Sequence, residues 1–467
     1  MSTGQLTVAE QLHSRGVAQQ NTGHPQRALR LLERAWDVVQ AVGDAADPVE
    51  ADRLAAAIWI SLALNHAEVY GVERGLASLA EASSRAQRIG DPSLLVRVHS
   101  QHAFIAIRAG HYGLAMQELA IADSMIDHAN DNDTFAILIN AGLVGLLTRD
   151  LAGARRALTR AAEFAKSIGM ELGEFKAMHN LAYLEFLAGD LPTALRLMDE
   201  AGRPDLGSDW GVVLLDRARV LADAGLLREA DDALAGAARI FRGDRLAQDL
   251  AETELERARC ALINGDIPAA RRFAALARDR FRRRGNDSWR RSAELVLLQG
   301  DLAAGRPGLR LVPPALRLQG ELAAQGLGLQ ARTAALLAAE AYLDVGDPDA
   351  AGTILDGAGR SGRRDPVTAR LHARYVHARL SAAHGDGAGA ARTIRSGLAE
   401  LAVYQAGFGS IDLQTASAVH GARLAELGIA VALRDGRPRA VFAAAERARA
   451  VSSRLQPVRP PDDAQAA

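Results

Sequence analysis

The chain has a single cysteine, Cys260, in 467 residues. That excludes an intrachain disulfide and any zinc site built from several thiolates. Aromatic residues make up only 4%, and strand-like alternation of β-branched or aromatic with polar residues is absent, which argues against a sheet. Lysine is nearly missing: only Lys166 and Lys176 accompany the arginines, a bias of the kind a GC-rich genome imposes. The net charge is −1, so no global field gathers nucleic acid or anionic lipid. The longest uncharged apolar run, residues 134–148, is too short to span a bilayer and contains Asn140. The N-terminal MSTGQLTVAEQLHSRG lacks the apolar core of a signal peptide. A cytoplasmic soluble protein without membrane contact is the expectation. With no P-loop and no Gly-rich strand-to-helix turn, no nucleotide or other cofactor is expected.

What is present is apolar and helical in kind. Hydrophobic residues reach 49%, mainly Ala and Leu, which are strong helix formers. Residues 177–201, AMHNLAYLEFLAGDLPTALRLMDEA, read as two helices and a tight turn. Met178, Leu181, Ala182, Leu184 and Leu187 form one apolar stripe, and Ala194, Leu195, Leu197 and Met198 a second. Gly189 tolerates the positive φ that closes a helix, Asp190 starts the next, and Pro192 sits where its missing N–H costs nothing. Neither helix can bury its stripe alone, so the unit needs neighbours.

The neighbours are in the sequence. A Gly followed five residues later by Ala recurs as Gly23/Ala28, Gly110/Ala115, Gly189/Ala194, Gly225/Ala230, Gly265/Ala270, Gly346/Ala351 and Gly385/Ala390. Arg149/Ala154 repeats the pattern with Arg in the Gly slot. Turns from Gly110 to Gly265 are spaced 39, 40, 36 and 40 residues apart. A fixed period of this length is the signature of a helical solenoid. The recurrent Ala is expected where the two helices of a pair cross closely. The pattern falters at 301–326, where Gly305, Pro307, Pro313 and Pro314 fall. Adjacent prolines are expected to forbid a regular helix there. The organisation is therefore read as a first solenoid (1–300), an irregular joint (301–326), a second solenoid (327–456) and a disordered tail (457–467). One helix is expected across 411–433.

Within this array, residues 179–201 resemble the tetratricopeptide repeat, with Ala182, Tyr183, the Gly189-Asp190 turn and Ala194 at the expected offsets. The resemblance covers roughly residues 8–455, strongest over 94–281. It implies an all-α, right-handed α-solenoid of about 10–11 hairpins of roughly 36–50 residues. Two segments, 278–302 (RDRFRRRGNDSWRRSAELVLLQGDL) and 444–463 (AAERARAVSSRLQPVRPPDD), resemble the helical region of actinobacterial CHAT-domain proteins, which leads into a caspase-like protease domain. That resemblance implies a chain consisting of the helical region alone, with a regulatory role toward a protease domain in cis. It carries over no catalytic residue, because no position matches the family's His/Cys pair.

Tetratricopeptide arrays line a concave groove with the first helix of each pair. Nine residues before successive turns stand Ser14, Gln101, Asn140, Asn180, Asp216 and Glu256; six before stand Tyr183, Arg219 and Arg259. All but Ser14 are taken as candidate groove residues. The resemblance implies that Asn140 and Asn180 hydrogen-bond a ligand backbone, while Asp216 and Glu256 depart from the family's usual Asn. The expected function is a non-catalytic scaffold or sensor for a peptide or protein. The alternative is the repeat region of a bacterial transcriptional regulator. Other constellations are weaker. Arg278 to Arg291 contains seven arginines with Phe281 and Trp289 interleaved, a pattern that could grip nucleic acid but is too local for a groove. His99 and His102, three apart, and His111 lack a local acidic or Cys partner to complete a metal set. Asp127, Asp131 and Asp133 suggest a calcium loop but lack its Gly and terminal Glu, and 127–133 is read as a solvated acidic loop. Cys260, flanked by Ala, is read as core.

Overall fold

A computed structural model describes residues 2–21, 24–42, 47–201, 208–359, 361–362, 365–408 and 410–452. Helices follow one another in antiparallel pairs, and no strand occurs among the described residues. The first pairs are α1 (Ser2–Asn21) with α2 (Pro25–Val42), α3 (Pro48–Tyr70) with α4 (Val72–Ile89), α5 (Pro92–Ala109) with α6 (Tyr112–Ser124), and α7 (Asp131–Thr148) with α8 (Leu151–Ser167). Next come α9 (Glu171–Ala188) with α10 (Leu191–Ala201), α11 (Ser208–Asp223) with α12 (Leu227–Gly243), α13 (Ala247–Ile263) with α14 (Ile267–Arg283), and α15 (Asp287–Ala303) with α16 (Gly308–Ala324). The last are α17 (Gly328–Asp344) with α18 (Pro348–Gly357), α19 (Val367–Ala383) with α20 (Gly387–Ala406), and α21 (Ile411–Ala416) and α22 (Ala422–Asp435) with α23 (Pro438–Ser452). Contacts divide the chain into two compact units. Unit 1 comprises Met1–Val220, Arg228–Ala304 and Gly320–Gln330; unit 2 comprises Leu221–Leu227, Gly305–Gln319 and Ala331–Ala467.

The turn inside each pair follows one physical recipe. At the end of α9, Gly189 adopts φ 98°. Its N–H donates to Phe186 O at 3.0 Å and that of Asp190 donates to Glu185 O at 2.9 Å. This paired bonding satisfies carbonyls that a helix end leaves without partners. Asp190 then accepts from Thr193 N at 3.1 Å, capping the start of α10. Asp150, Asp266, Asp347 and Asp386 accept in the same way from the backbone N–H three residues on.

The alanine five residues past each turn has the role the repeat pattern implied. Ala28, Ala115, Ala154, Ala194, Ala230, Ala270, Ala351 and Ala390 are all 0% exposed. The closeness of the crossing is visible at Gly145 of α7, where an added Cβ would stand 2.9 Å from Ala154 N. Around these crossings the apolar stripes form a string of small cores. One joins Leu12, Leu29, Leu32 and Ile58 at α1 to α3, and another joins Leu255, Phe281 and Val296 at α13 to α15.

Three expectations fail locally. Pro313 and Pro314 do not interrupt the array, because α16 runs through them. The carbonyls they leave without an N–H partner belong to Leu309 and Arg310, in the exposed first turn where water can serve them. Burial of Leu311, Val312, Ala315, Leu318 and Leu322 holds the helix together. The 411–433 stretch is not one helix. A 3₁₀ segment, Ser417–Gly421, tightens it between α21 and α22, and its Gly421 is pressed against Leu401, only 2.4 Å from where a Cβ would stand. By length and composition Ile411–Asp435 could cross a membrane; here α22 packs on α19 and α20. Finally, Asp131 and Asp133 are not loop residues: they open α7, with Asn130 accepting from Asp133 N at 3.0 Å, and their charges favour the positive end of the helix. The Gly23 turn and the 457–467 tail lie outside the described residues.

The crossing alanines give a direct test. Ala194→Leu forces a larger side chain into a site with no exposed surface and should destabilise the protein by about 2–3 kcal/mol, read as a lower urea midpoint. An unchanged midpoint would mean that the crossing has slack.

Candidate functional site

In unit 1 the first helices of successive pairs stack on one another: α1 on α3, α3 on α5, α5 on α7, α7 on α9 and α13 on α15. The layer also returns on itself, since α13 touches α3 and α15 touches α5. First helices therefore line the inside of the unit. The joint is made by helix ends. Arg284, at the turn after α14, donates to Ala67 O at 2.8 Å and to Glu68 O, the last-turn carbonyls of α3. Asn286, which caps α15, donates to Arg108 O at 3.0 Å and to Gln248 Oε1 at 3.2 Å. Glycine is required where these turns meet. Gly71 has φ 109°, and a Cβ there would lie 2.6 Å from Arg284 O.

Charged side chains fill the interior behind the joint. Arg108 on α5 grips Asp249 on α13 with two bonds of 2.8 and 2.9 Å and reaches Glu68 on α3 at 2.9 Å. Burial alone would lower its pKa, but Asp249 and Glu68 hold it well above the ordinary arginine value. Arg219 on α11 meets Asp216 at 2.9 Å, Glu256 at 3.1 Å and Glu252 at 3.7 Å. Asp216 also receives His179 Nε2 at 3.1 Å, and Arg259 pairs with Glu256 at 2.8 Å. Burial pushes the carboxyls of Asp216 and Glu256 up, but the bond from His179 and the charges of Arg259 and Arg219 bring both below the ordinary range. Glu252 is the exception: burial, reinforced by Asp249, raises it. Tyr112, at the start of α6, faces the same cluster. Burial and Glu252 push its phenol up to about 12. Burial likewise raises Tyr183, while Arg219 and Arg149 oppose the shift.

Of the sequence-expected residues, Tyr183, Asp216, Arg219, Glu256 and Arg259 are thus brought together. Asp216, Arg219, Glu256 and Arg259 spend their charges on one another. Gln101, Asn140 and Asn180 lie on the same layer of first helices, on α5, α7 and α9, outside this cluster. Asn140 is 5% exposed, Gln101 and Asn180 are half-buried, and none makes a hydrogen bond among the described residues. The Gln101 Nε2 is buried without a partner. Ser14 is exposed, and its neighbour His13 makes the inter-helix contact, to Ser61 Oγ at 2.9 Å. Sequence reasoning missed Glu68, Arg108, Tyr112, His179, Asp249, Glu252 and Arg284. Several stand at helix ends and meet partners some 140 to 216 residues away, a separation on which a 40-residue period says nothing.

The remaining constellations resolve as follows. Six of the seven arginines between 278 and 291 form ion pairs: Arg278 and Arg282 with Asp279, Arg280 with Glu254, Arg284 with Glu68, Arg290 with Asp287 and Glu294, and Arg291 with Glu321. Only Arg283 is left without one among the described residues. His99 and His102 do find an acid. Glu118 of α6 meets their Nδ1 atoms at 2.7 and 3.1 Å. Among the described residues no three His, Cys, Asp or Glu side chains are placed to hold a metal ion. Cys260 is 3% exposed, and burial pushes its thiol up to about 11, away from nucleophilic use.

Unit 2 carries a separate ionic cluster. Glu340 of α17, 2% exposed, accepts from His372 of α19 and from Arg423 of α22 at 2.6 Å. The Arg423 guanidinium also lies 4.0 Å from the centre of the Tyr375 ring. Burial opposes ionisation of Glu340, but His372 and Arg423 outweigh it and bring the carboxyl down to about 2.

No protein-family model matches the chain, and no curated protein matches it in sequence. Solved structures do match. A Rap protein complexed with competence and sporulation factor has a TM-score of 0.57 at 11% identity, over 80% of this chain and 99% of that one. The Cut9–Hcn1 hetero-tetramer of the APC/C has a TM-score of 0.41 at 12% identity, over 98% of this chain and 95% of that one. A signal-transduction ATPase of Pyrococcus horikoshii with a tetratricopeptide repeat sensor has a TM-score of 0.39 at 14% identity, over 71% of this chain and 52% of that one. The fold is an α-solenoid of tetratricopeptide-like hairpins.

Two outcomes follow from the ionic clusters. Arg284→Ala removes the cap on α3 and leaves Glu68 short of a partner, so it should cost about 3 kcal/mol. Arg283→Ala next door should stay within about 0.5 kcal/mol. Equal urea midpoints for the two would refute the role of the joint. For Glu340, the folded pKa lies below the unfolded one, so its stabilisation is full above the unfolded value and is lost as pH falls toward 2. Glu340→Gln should therefore flatten the acid limb of the stability profile between about pH 4.5 and 2, measured by urea titration at each pH.

Proposed function

We propose that the inner face of unit 1 binds an extended segment of a peptide or protein partner and that the chain acts as a non-catalytic scaffold or sensor. One observation carries this reading: the side chains of Gln101, Asn140 and Asn180 stand on successive first helices with no hydrogen-bond partner among the described residues, while the charged residues of the same layer are neutralised internally. The Gln101 Nε2 is also screened from water, and such an unbonded amide costs roughly 1–3 kcal/mol. A peptide backbone, with its alternating N–H and C=O groups, is the complement such amides accept. The similar Rap structure is itself that of a complex with a factor.

A narrower version makes the chain the regulatory part of a CHAT-type protease, acting on a protease domain in cis. It rests on the resemblance of segments 278–302 and 444–463, of which 453–463 lie outside the described residues.

The double variant Asn140→Ala/Asn180→Ala removes two side-chain hydrogen bonds to the ligand. Retention of a randomised decapeptide pool by the immobilised full chain should fall about tenfold, with the thermal midpoint little changed. Equal retention by the two proteins would sink the proposal.

A further inference from the structure

The first helix, α1, turns a polar face outward. It presents Gln5, Glu10, Gln11, Ser14 and Arg15 to solvent, with one valine, Val8, among them. A stack of hairpins stays soluble when its end helices look like this. The last described helix, α23, does not. Of the ten phenylalanines in the chain, nine are buried or half-buried and Phe442 alone is exposed, at 68%. With 3.6 residues per turn, Arg439, Phe442, Glu446 and Arg449 fall within an arc of about 80°. Ala444 and Val451 stand opposite and are buried, and Val451 joins the core of unit 2 with Leu371, Leu398 and Leu424. One face of α23 is thus spent on the core, and the other carries a bare aromatic ring with charges on either side.

Those charges have a two-fold arrangement. Arg439 stands three residues before Phe442, and Glu446 four after it. Arg439 is exposed and makes no ion pair or side-chain hydrogen bond among the described residues. Glu446 accepts from Arg449 at 2.6 Å through Oε1, while its Oε2 has no partner among the described residues. Let two such helices lie antiparallel and cross beside Phe442. The residue three before the ring on one then faces the residue four after it on the other. Arg439 meets Glu446 of the second copy, and Glu446 meets Arg439 of the second copy. A contact between identical surfaces requires this reciprocity. Parallel helices would instead set Arg439 against Arg439 and Glu446 against Glu446.

We propose that this face of α23 is where two copies of the chain meet, as an antiparallel helix pair with Phe442 at its centre and an Arg439–Glu446 ion pair on each side. Shared burial of the rings supplies the attraction, each ring offering up to about 150–250 Å². The exposed ion pairs add little affinity but fix the direction of the helices. A contact of one helix per copy is smaller than a standard interface, so the dimer is weak, with a dissociation constant on the order of 10 µM. The inference does not rest on the peptide-binding reading.

The test is sedimentation velocity of the full chain between about 1 and 200 µM. The native protein should pass from monomer to dimer across that range. Phe442→Ser should raise the midpoint concentration about tenfold or more. Val403→Ser removes another exposed apolar side chain, 75% exposed on α20, and should leave the midpoint in place. Both variants should keep the native thermal midpoint, since neither side chain is buried. Arg439→Glu and Glu446→Arg each set like charges face to face, and each alone should also weaken the dimer. Mixed one to one, these two variants should pair with each other at near-native affinity, because both flanking ion pairs are restored. A native chain that stays monomeric throughout overturns the inference, as does a Phe442→Ser chain that dimerises like the native one. Charge variants that lose the dimer alone and do not regain it on mixing overturn it as well.

Discussion

An α-helix ends in carbonyl oxygens that have no partner within it. In most pairs of this chain a left-handed glycine folds the backbone over them. At α3 and α5 those turns are not sufficient, and Arg284, Asn286 and Gln248 come from far along the chain to complete the bonding. The rest of unit 1 depends on this. Because the turn after α14 must reach α3, the layer of first helices closes on itself, and the charged groups it carries face one another rather than water. Buried charges have to be paired. Arg108 on α5 meets acids of α3 and α13, and Arg219 on α11 meets Asp216 on its own helix and Glu252 and Glu256 of α13, which satisfies that demand.

The same closure sorts the inner face into two chemistries. Where helices from opposite ends of the unit meet, between α5 and α13, carboxylates and guanidiniums neutralise one another and hold the walls in place. Along the α5–α7–α9 stretch, the amides of Gln101, Asn140 and Asn180 and the phenol of Tyr183 make no side-chain hydrogen bond among the described residues, and the Gln101 Nε2 is screened from water as well.

The hairpins were legible because their determinants are local. Gly189, Asp190 and Ala194 lie within six residues, and each has a separate physical reason to be there. The failures come from the opposite case. Pro313 and Pro314 disfavour helix in any short window, yet the burial of Leu318 and Leu322 decides the matter from the other side of α16. At the 3₁₀ segment Ser417–Gly421, Gly421 lies against Leu401 of a different helix, a contact that no local window reveals. Counting back from the turns found Tyr183, Arg219 and Glu256 but not Arg108 or Glu68, since a repeat count carries no information about where an array meets itself. His99 and His102 lacked an acid only when neighbours in sequence were searched; Glu118 is a neighbour in space.

The scarcity of lysine has a consequence for the interior. Every cation in the closed core of unit 1 whose charge is permanent is a guanidinium, and a guanidinium does not give up its proton when it is desolvated. A buried ammonium would. The acids can be neutralised from outside, but the arginines cannot. The core is therefore one-sided toward the solvent. Protons can loosen it by discharging Asp216 and Glu256, whereas the phenols of Tyr112 and Tyr183 are pushed well above their ordinary value and hold their protons as pH rises.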